Sequence, residues 1–263
     1  MDITVSGIDG GKAFDWGKTS ADYAKFRDIY PPLFYEKIVA RGLCVKGQKV
    51  LDIGTGTGVI PRNMYRYGAE WVGTDISAEQ IAQAKRLAEE AGMQIEFRAC
   101  PSEQLDFPAE TFDVITACQC FWYFDHAALS PLLARMLKPN GKLVVLSMEW
   151  LPFEDEIARQ SEEMVLQFNP AWTGAGETRH PNFIPEVMYR NFALAEHEEY
   201  DLPVHFTRAS WHGRMRACRG VGASLPPEKL AQWEQAHSDL LVKIAPPEFD
   251  IQHFAAITVL EKK

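Results

Sequence analysis

The sequence predicts an α/β fold: a mostly parallel, Rossmann-like sheet with helices on both faces. Three observations carry that prediction. Short runs rich in Val and Ile alternate with helix-length segments from about Gln48 to Met148, the pattern of βαβ units. A glycine-rich turn follows the first of these runs, where a strand hands over to a helix. Acidic side chains, Asp52 and Asp75, end the first two runs.

The runs are "KVLDIG", "WVGTDI", "QIEFRA", "FDVITAC" and "KLVVLSM", separated by "VIPRNMYRYG", "SAEQIAQAKRLAEEAG" and "DHAALSPLLARMLKPNG". In the second helical segment Ser77 can cap the start. Ile81, Ala84, Lys85 and Ala88 keep the helical period, and Gly92 ends it. "LKPNG" supplies a proline and a turn glycine before the fifth strand. Beyond Met148 the regularity fails. "EWLPFEDEIARQSEEMVLQF" predicts an amphipathic helix and "NPAWTGAGETRHPNFIP" a loop. "HEEYDLPVHFTR" predicts a strand, "LPPEKLAQWEQAHSDLLVKIA" a helix, and "FDIQHFAAITVLEK" a last strand. The expected organisation is one domain: a helical cap over residues 1–44, a ligand-binding core over 45–150, and a substrate-side elaboration with the final strands over 151–263.

Composition narrows the function classes. The chain has 263 residues, 46% hydrophobic and 24% charged, enough for a substantial core. Its formal net charge of −9 argues against a general grip on nucleic acid or on an anionic membrane. No apolar run approaches the roughly 18 residues of a membrane span, and the first residues lack a secretory pattern. Five cysteines, an odd number without paired spacing, fit a reducing cytoplasm. A cytoplasmic protein with a small-molecule partner is expected, and a homodimer is compatible with these bounds. His205 and His212 have no recognisable metal spacing, so no metal is expected.

"VLDIGTGTGVI" is the strongest chemical signal. Gly54, Gly56 and Gly58 permit positive φ and let a ligand approach the backbone, with unpaired helix N–H groups beyond them. A dinucleotide fingerprint would need glycine where Val59 stands. A pyrophosphate would also be repelled by Asp52, two residues before the first glycine. A cationic head group would be welcomed there. Asp75, 23 positions after Asp52, can accept hydrogen bonds from both hydroxyls of a ribose; helix capping alone is its alternative role.

"VLDIGTGTG", "GTDIS", "FDVITAC" and "LKPNGKLVV", in this order, resemble the class I S-adenosylmethionine-dependent methyltransferases over roughly residues 45–150. "ADYAKFRDIYP" and "CQCFWYFD" resemble the small-molecule enzymes of the trans-aconitate methyltransferase type. The resemblance implies seven strands with an antiparallel strand at the carboxyl end, a helical lid at the amino end and an insertion after the fifth strand. It implies S-adenosylmethionine as cofactor and transfer of a methyl group to a small, anionic or hydroxylated metabolite. The backbone from Gly54 through Thr55 and Gly56 to Gly58 would face the methionine part. Asp75 would bind the ribose, and Ile76, with Gln80 nearby, would lie at the adenine. The sequence departs from the family in the loop after "IEFRA", where an Asp is common and Cys100 and Pro101 stand instead. Adenine recognition then shifts to Ser102 or Glu103, unless Glu103 is only a solvated loop acid.

The acceptor side is less determined. "ACQCFWYFD" is expected to bound the cofactor through Cys118 and Gln119, its cysteines being small enough to leave the cofactor room. Trp122 and Tyr123 would shape the acceptor pocket. The family's His-Trp pair is here Trp122-Tyr123, so the histidine is missing; Tyr123 orients or deprotonates the acceptor, or is an aromatic wall. His126 caps the next helix or is solvated. Tyr23 and Arg27, four apart on one helical face, are cofactor candidates within a lid that also holds Trp16 and Tyr30. Arg214 and Arg216 are candidates to bind an anionic acceptor through planar forks, with Arg219 beside them; pairing with the chain's many acids is the alternative. A non-catalytic S-adenosylmethionine-binding module and a nucleotide-linked dehydrogenase stay open as other readings.

Overall fold

The computed structural model describes residues 2–263. Among them, seven strands form one sheet: β1 (Lys49–Ile53), β2 (Glu70–Asp75), β3 (Glu96–Ala99), β4 (Phe112–Cys118), β5 (Leu137–Trp150), β6 (Phe192–Thr207) and β7 (Glu248–Lys262). Their order is β3-β2-β1-β4-β5-β7-β6. β1 pairs in parallel with β2 and with β4, β2 with β3, and β4 with β5, and the carboxyl-terminal strand is antiparallel. Strand order reverses at β1, which has β2 on one side and β4 on the other. In open α/β sheets that reversal opens a crevice beyond the carboxyl ends of the strands, where ligands bind.

Eight α-helices accompany the described strands: α1 (Ser20–Phe26), α2 (Pro32–Ala40), α3 (Val59–Met64), α4 (Ala78–Glu90), α5 (His126–Met136), α6 (Glu156–Phe168), α7 (Arg208–Arg216) and α8 (Pro227–Ile244). Local signals set several boundaries. Ser77 Oγ accepts from Gln80 N at 3.3 Å to start α4, and Gly92, at φ +65°, follows its end. α5 is capped by Asp125, whose Oδ1 accepts from Ala127 N and Ala128 N. His126, weighed as the cap, is the first helical residue, and its ring reaches the Phe121 carbonyl at 2.9 Å. "LKPNG" lies within the span of β5 rather than ahead of it. The register with β4 jumps from Phe112↔Leu137 to Val114↔Lys142, and Asn140 at φ +62° turns the excursion.

By its internal contacts the chain resolves into two compact units. The first comprises Met1–Ile29, Glu149–Arg179 and Asp201–Phe254; the second comprises Tyr30–Met148, His180–Tyr200 and Ala255–Lys263. The second, the core unit, buries Leu51, Ile53, Phe112, Ile115, Leu133 and Leu143 in one apolar cluster. Each such side chain contributes about 1.5–3 kcal/mol relative to exposure.

The first unit is helical, and its packing is polar as well as apolar. α1 meets α7 so closely that a Cβ on Gly213 would lie 2.4 Å from the Phe26 ring. Between α6, α7 and α8, Ser161 Oγ donates to Ile157 O (2.7 Å), while Trp211 Nε1 donates to it (2.9 Å) and His237 Nε2 lies 3.1 Å away. A hydroxyl has one proton, so Ser161 accepts from both neighbours and His237 carries its proton on Nε2. His237 Nδ1 then accepts from His212 Nδ1 at 2.9 Å. Burial first, then His212, depress His237 to a pKa of about 3, in keeping with a neutral ring. At the amino end, Asp9 is 2% exposed. It accepts from Arg219 Nε (2.7 Å) and from Thr173 N (2.8 Å).

Candidate functional site

At the carboxyl end of β1 the carboxylate of Asp52 is 1% exposed. Its two oxygens accept from Thr55 Oγ1 and Thr116 Oγ1, each at 2.6 Å. Burial pushes the carboxyl up to about 7, against the two hydroxyl bonds that favour ionisation, and the charge of Asp75 adds to the rise. The turn that follows holds Gly54 at φ +62° and Gly58 at φ +74°. A Cβ on Gly54 would lie 2.7 Å from Cys120 Sγ, and one on Gly58 would lie 2.7 Å from the Phe97 ring. The chain needs glycine at both places for backbone shape and for space.

The turn is tied to β2. Thr55 N donates to Thr74 O, and Gly56 N donates to Asp75 Oδ2, both at 2.9 Å. Asp75 Oδ1 accepts from Ser77 N at 2.9 Å. Burial raises the Asp75 pKa while these two backbone bonds oppose the rise. Each carboxylate oxygen keeps a lone pair beyond the one used, so the group fastens the turn and can still accept from a ligand diol. Ile76 is half-buried just beyond β2, and Gln80 is buried in the first turn of α4. After β3, Ser102 is buried and Glu103 Oε1 accepts from Asp125 N at 2.9 Å. That bond ties the loop after β3 to the start of α5, so Glu103 is not merely solvated.

β4 ends in a held, left-handed residue. Gln119 has φ +60°, its N–H donates to Leu146 O at 3.0 Å, and its side-chain amide donates to Met148 O. Cys118 Sγ lies 3.4 Å from Tyr30 Oη, and Tyr30 stacks on Phe34 with ring centroids 4.5 Å apart. Cys120 Sγ donates to Ile53 O at 3.2 Å. The two cysteines therefore differ: Cys120 fills the space beneath Gly54 rather than leaving room. Trp122 is 41% exposed and leans on Tyr123 at 5.5 Å, while Tyr123 is half-buried against the apolar cluster.

The helical unit holds the remaining candidates. Arg27 lies over the Tyr23 ring at 4.6 Å, and Trp16 packs edge-on to Tyr23 at 5.9 Å. Arg216 is ion-paired with Asp22 (3.2 Å) and Glu234 (2.8 Å), and Arg219 with Asp9. Arg214 is 3% exposed and has no carboxylate partner among the described residues. The pairing alternative thus describes two of the three arginines.

Against known proteins, the family model of a methyltransferase domain matches residues 50–141, the stretch that contains the glycine turn, Asp75 and β4. Over that stretch the chain is similar to methyltransferase domains. A ubiquinone biosynthesis O-methyltransferase of Bradyrhizobium sp. (strain ORS 278) is 38% identical over 133 residues, 49% of this chain and 51% of that one. The chain spans about half the length of the curated relatives it matches. Among solved structures, one titled for the conversion of a disulfide bond into a thioacetal group during echinomycin biosynthesis superposes with a TM-score of 0.54. It is 16% identical and covers 93% of each chain. The [4+2]-cyclase SpnF gives 0.51 at 20% identity, over 88% of this chain and 78% of its own. At such identities both report the fold alone.

Within the methyltransferase domain, the core unit gathers Asp52, Gly54, Thr55, Gly56, Gly58, Asp75, Ile76, Gln80, Ser102, Glu103, Cys118, Gln119, Trp122 and Tyr123 on the segments that follow β1, β2, β3 and β4. Tyr23, Arg27, Arg214 and Arg216 belong to the helical unit. One residue has no role in the sequence reading, and another belongs elsewhere than the sequence suggests. Thr116 was legible only as an inner residue of β4, and its hydroxyl proves to be half of the Asp52 support. Tyr30, grouped with the lid, belongs to the core unit and touches Cys118. The double proline after it was the available signal of a fixed turn. S-adenosylmethionine is the cofactor of methyltransferase domains of this kind, and a turn with no room for a Cβ at Gly54 or Gly58, flanked by two acids, fits it. No helix among the described residues is long and apolar enough to cross a membrane.

Proposed function

We propose that this chain transfers the methyl group of S-adenosylmethionine directly to an oxygen of a small acidic or hydroxylated metabolite. The observation that carries the reading is the junction of Asp52, the Gly54–Gly58 turn and Asp75 at the strand-order reversal. Thr55 and Thr116 hold Asp52 where a cationic head would be attracted. Asp75, already fixed by Gly56 N and Ser77 N, keeps lone pairs for a ribose diol. Ile76 and Gln80 are the candidates for the adenine, with Ser102 and Glu103 on the next loop. When bound, the cofactor supplies an electrophilic methyl group, so the protein needs only to orient the acceptor and, for a hydroxyl, to accept its proton. Trp122 and Tyr123 are the candidates to shape the acceptor's place, and Tyr123 is the candidate to orient or deprotonate it.

The curated O-methyltransferase relatives support oxygen as the methylated atom. The net charge of −9 supports a small acceptor over nucleic acid, and five free cysteines support the reducing cytoplasm as the setting. The decisive experiment incubates the protein with methyl-labelled cofactor and fractionated metabolites rich in hydroxylated carboxylic acids. Label in one small product is the expected result. Tight cofactor binding with no labelled product in any fraction would instead favour a non-catalytic binding module.

Asp75→Ala should weaken S-adenosylhomocysteine binding by more than about 1 kcal/mol, read by calorimetry. An unchanged affinity sinks the ribose assignment. Loss of folding would show that tying Gly56 is its main task, which Asp75→Asn, whose single amide oxygen can keep one of the two backbone bonds, separates from ligand binding.

A further inference from the structure

A buried guanidinium requires compensation, because removing a full charge from water is expensive unless an opposite charge or several hydrogen bonds replace the solvent. The helical unit follows this rule for most of its arginines. Arg159 pairs with Glu156 and Glu163, Arg179 with Glu154 and Asp201, Arg216 with Asp22 and Glu234, and Arg219 with Asp9. These side chains are exposed or only partly buried, apart from Arg219, whose partner Asp9 is buried with it.

Arg214 breaks the rule where breaking it is most costly. It lies in the last turn of α7 and is 3% exposed. Among the described residues its guanidinium meets the Cys218 thiol, with Nη1 to Sγ at 3.1 Å. It also lies on the face of Trp150, 4.7 Å from the ring centroid, and its Nε has no hydrogen-bond partner. One sulfur contact and an aromatic face return only part of what burial of the charge costs.

The surroundings do not supply the missing anion. Burial and then the charge of Arg27 act against the protonated guanidinium, while Glu149 acts in its favour from beyond ion-pair distance. Glu162, the buried acid nearest to Trp150, is committed elsewhere: Oε1 accepts from Trp150 Nε1 at 2.6 Å and Oε2 from Gly176 N at 2.8 Å. His253, whose ring centroid is 6.4 Å from that of Trp150, donates from Nδ1 to Ile251 O and is held neutral by burial. The Glu162 bond and an edge-on contact with Trp211 at 5.5 Å also fix the indole plane, so the guanidinium lies on a rigid platform.

We infer that Arg214, laid on Trp150, is the anchor for the carboxylate of a small organic acid. The planar fork of a guanidinium matches a carboxylate, and the unpartnered Nε marks a donor that such a group would take. The anion site is argued from the helical unit alone and is independent of the proposed function.

Benzoate and benzamide, alike in shape and different in charge, are the probes. Calorimetric titration of the whole protein should give benzoate at least tenfold tighter than benzamide. Arg214→Met should abolish that preference, and Arg214→Lys, which keeps the charge and loses the fork, should reduce it at least threefold. Equal binding of the two probes to the wild-type protein, no saturable benzoate binding, or an unchanged preference in Arg214→Met overturns the inference. Should Arg214→Met not fold, Arg214→Lys decides: a preference equal to wild type overturns it. S-adenosylhomocysteine titrated into the same samples separates the two readings. Its failure to bind the wild-type protein sinks the methyl-donor assignment and leaves the carboxylate result standing, and the converse outcome does the reverse.

Discussion

Gly54→Ala lowers the thermal midpoint by about 5–10 °C and weakens cofactor binding in proportion to the distortion of the turn. Two costs add. At φ +62° an L side chain costs about 1–2 kcal/mol. The new Cβ would also lie 2.7 Å from Cys120 Sγ and 2.8 Å from its Cβ. Cys120 is 8% exposed and its thiol is bonded to Ile53 O at 3.2 Å, so it has little room to retreat, and overpacking of this kind costs about 1–3 kcal/mol. Compared with Cys120→Gly alone, the double variant should lose less stability from the alanine, since only the backbone term is left. A melt of Gly54→Ala that matches wild type would show that the turn is not tight.

The second large effect is on pH. With its carboxyl near 7, Asp52 is substantially protonated at pH 6 in the ligand-free protein. A cationic ligand head favours the ionised form, so binding releases a proton. Affinity for S-adenosylmethionine should climb up to about tenfold per pH unit below 7 and level off above it. Calorimetry in buffers of different ionisation enthalpy reads both the affinity and the proton count. Asp52→Asn should flatten the profile, and a flat wild-type profile would remove Asp52 from the cofactor's surroundings. Stability follows the same linkage. The folded value lies above the ordinary 3.8, so the contribution is fully present below about pH 3.8. It is lost as pH rises through about 7, a change on the order of 4 kcal/mol.

What the sequence made legible was local. The glycine turn, the Ser77 cap and the alternation of strands and helices each depend on residues within a few positions of one another, and the sheet follows from them. The carboxyl end was readable as strand, helix and strand for the same reason. Three other features were not readable. The left-handed Gln119 is stabilised by carbonyls on β5, about thirty residues away. The support of Asp52 comes partly from Thr116, across a strand pair. Arg214 and Arg216 look alike in sequence, yet one is ion-paired at the surface and the other is buried without an acid. The difference is set by which face of α7 meets Trp150, a tertiary fact that charge patterning does not contain.

The Asp9–Arg219 pair bears on the order in which the chain acquires structure. The residues from Lys49 to Cys118 can pair their four strands within one continuous stretch: the crossovers from β1 to β2 and from β2 to β3 join neighbours, and β4 returns to lie beside β1. The helical unit is drawn from three separated stretches, and the Asp9 carboxylate joins two sites 210 positions apart in sequence. Contacts of such span have high contact order, and the entropy of closing the loop must be overcome before they give anything back. Until α7 and the segment after it have been made, Asp9 has no guanidinium to meet. Its burial is therefore a late event of synthesis, and the amino-terminal stretch is exposed to proteases for longer than its position at the start of the chain would suggest.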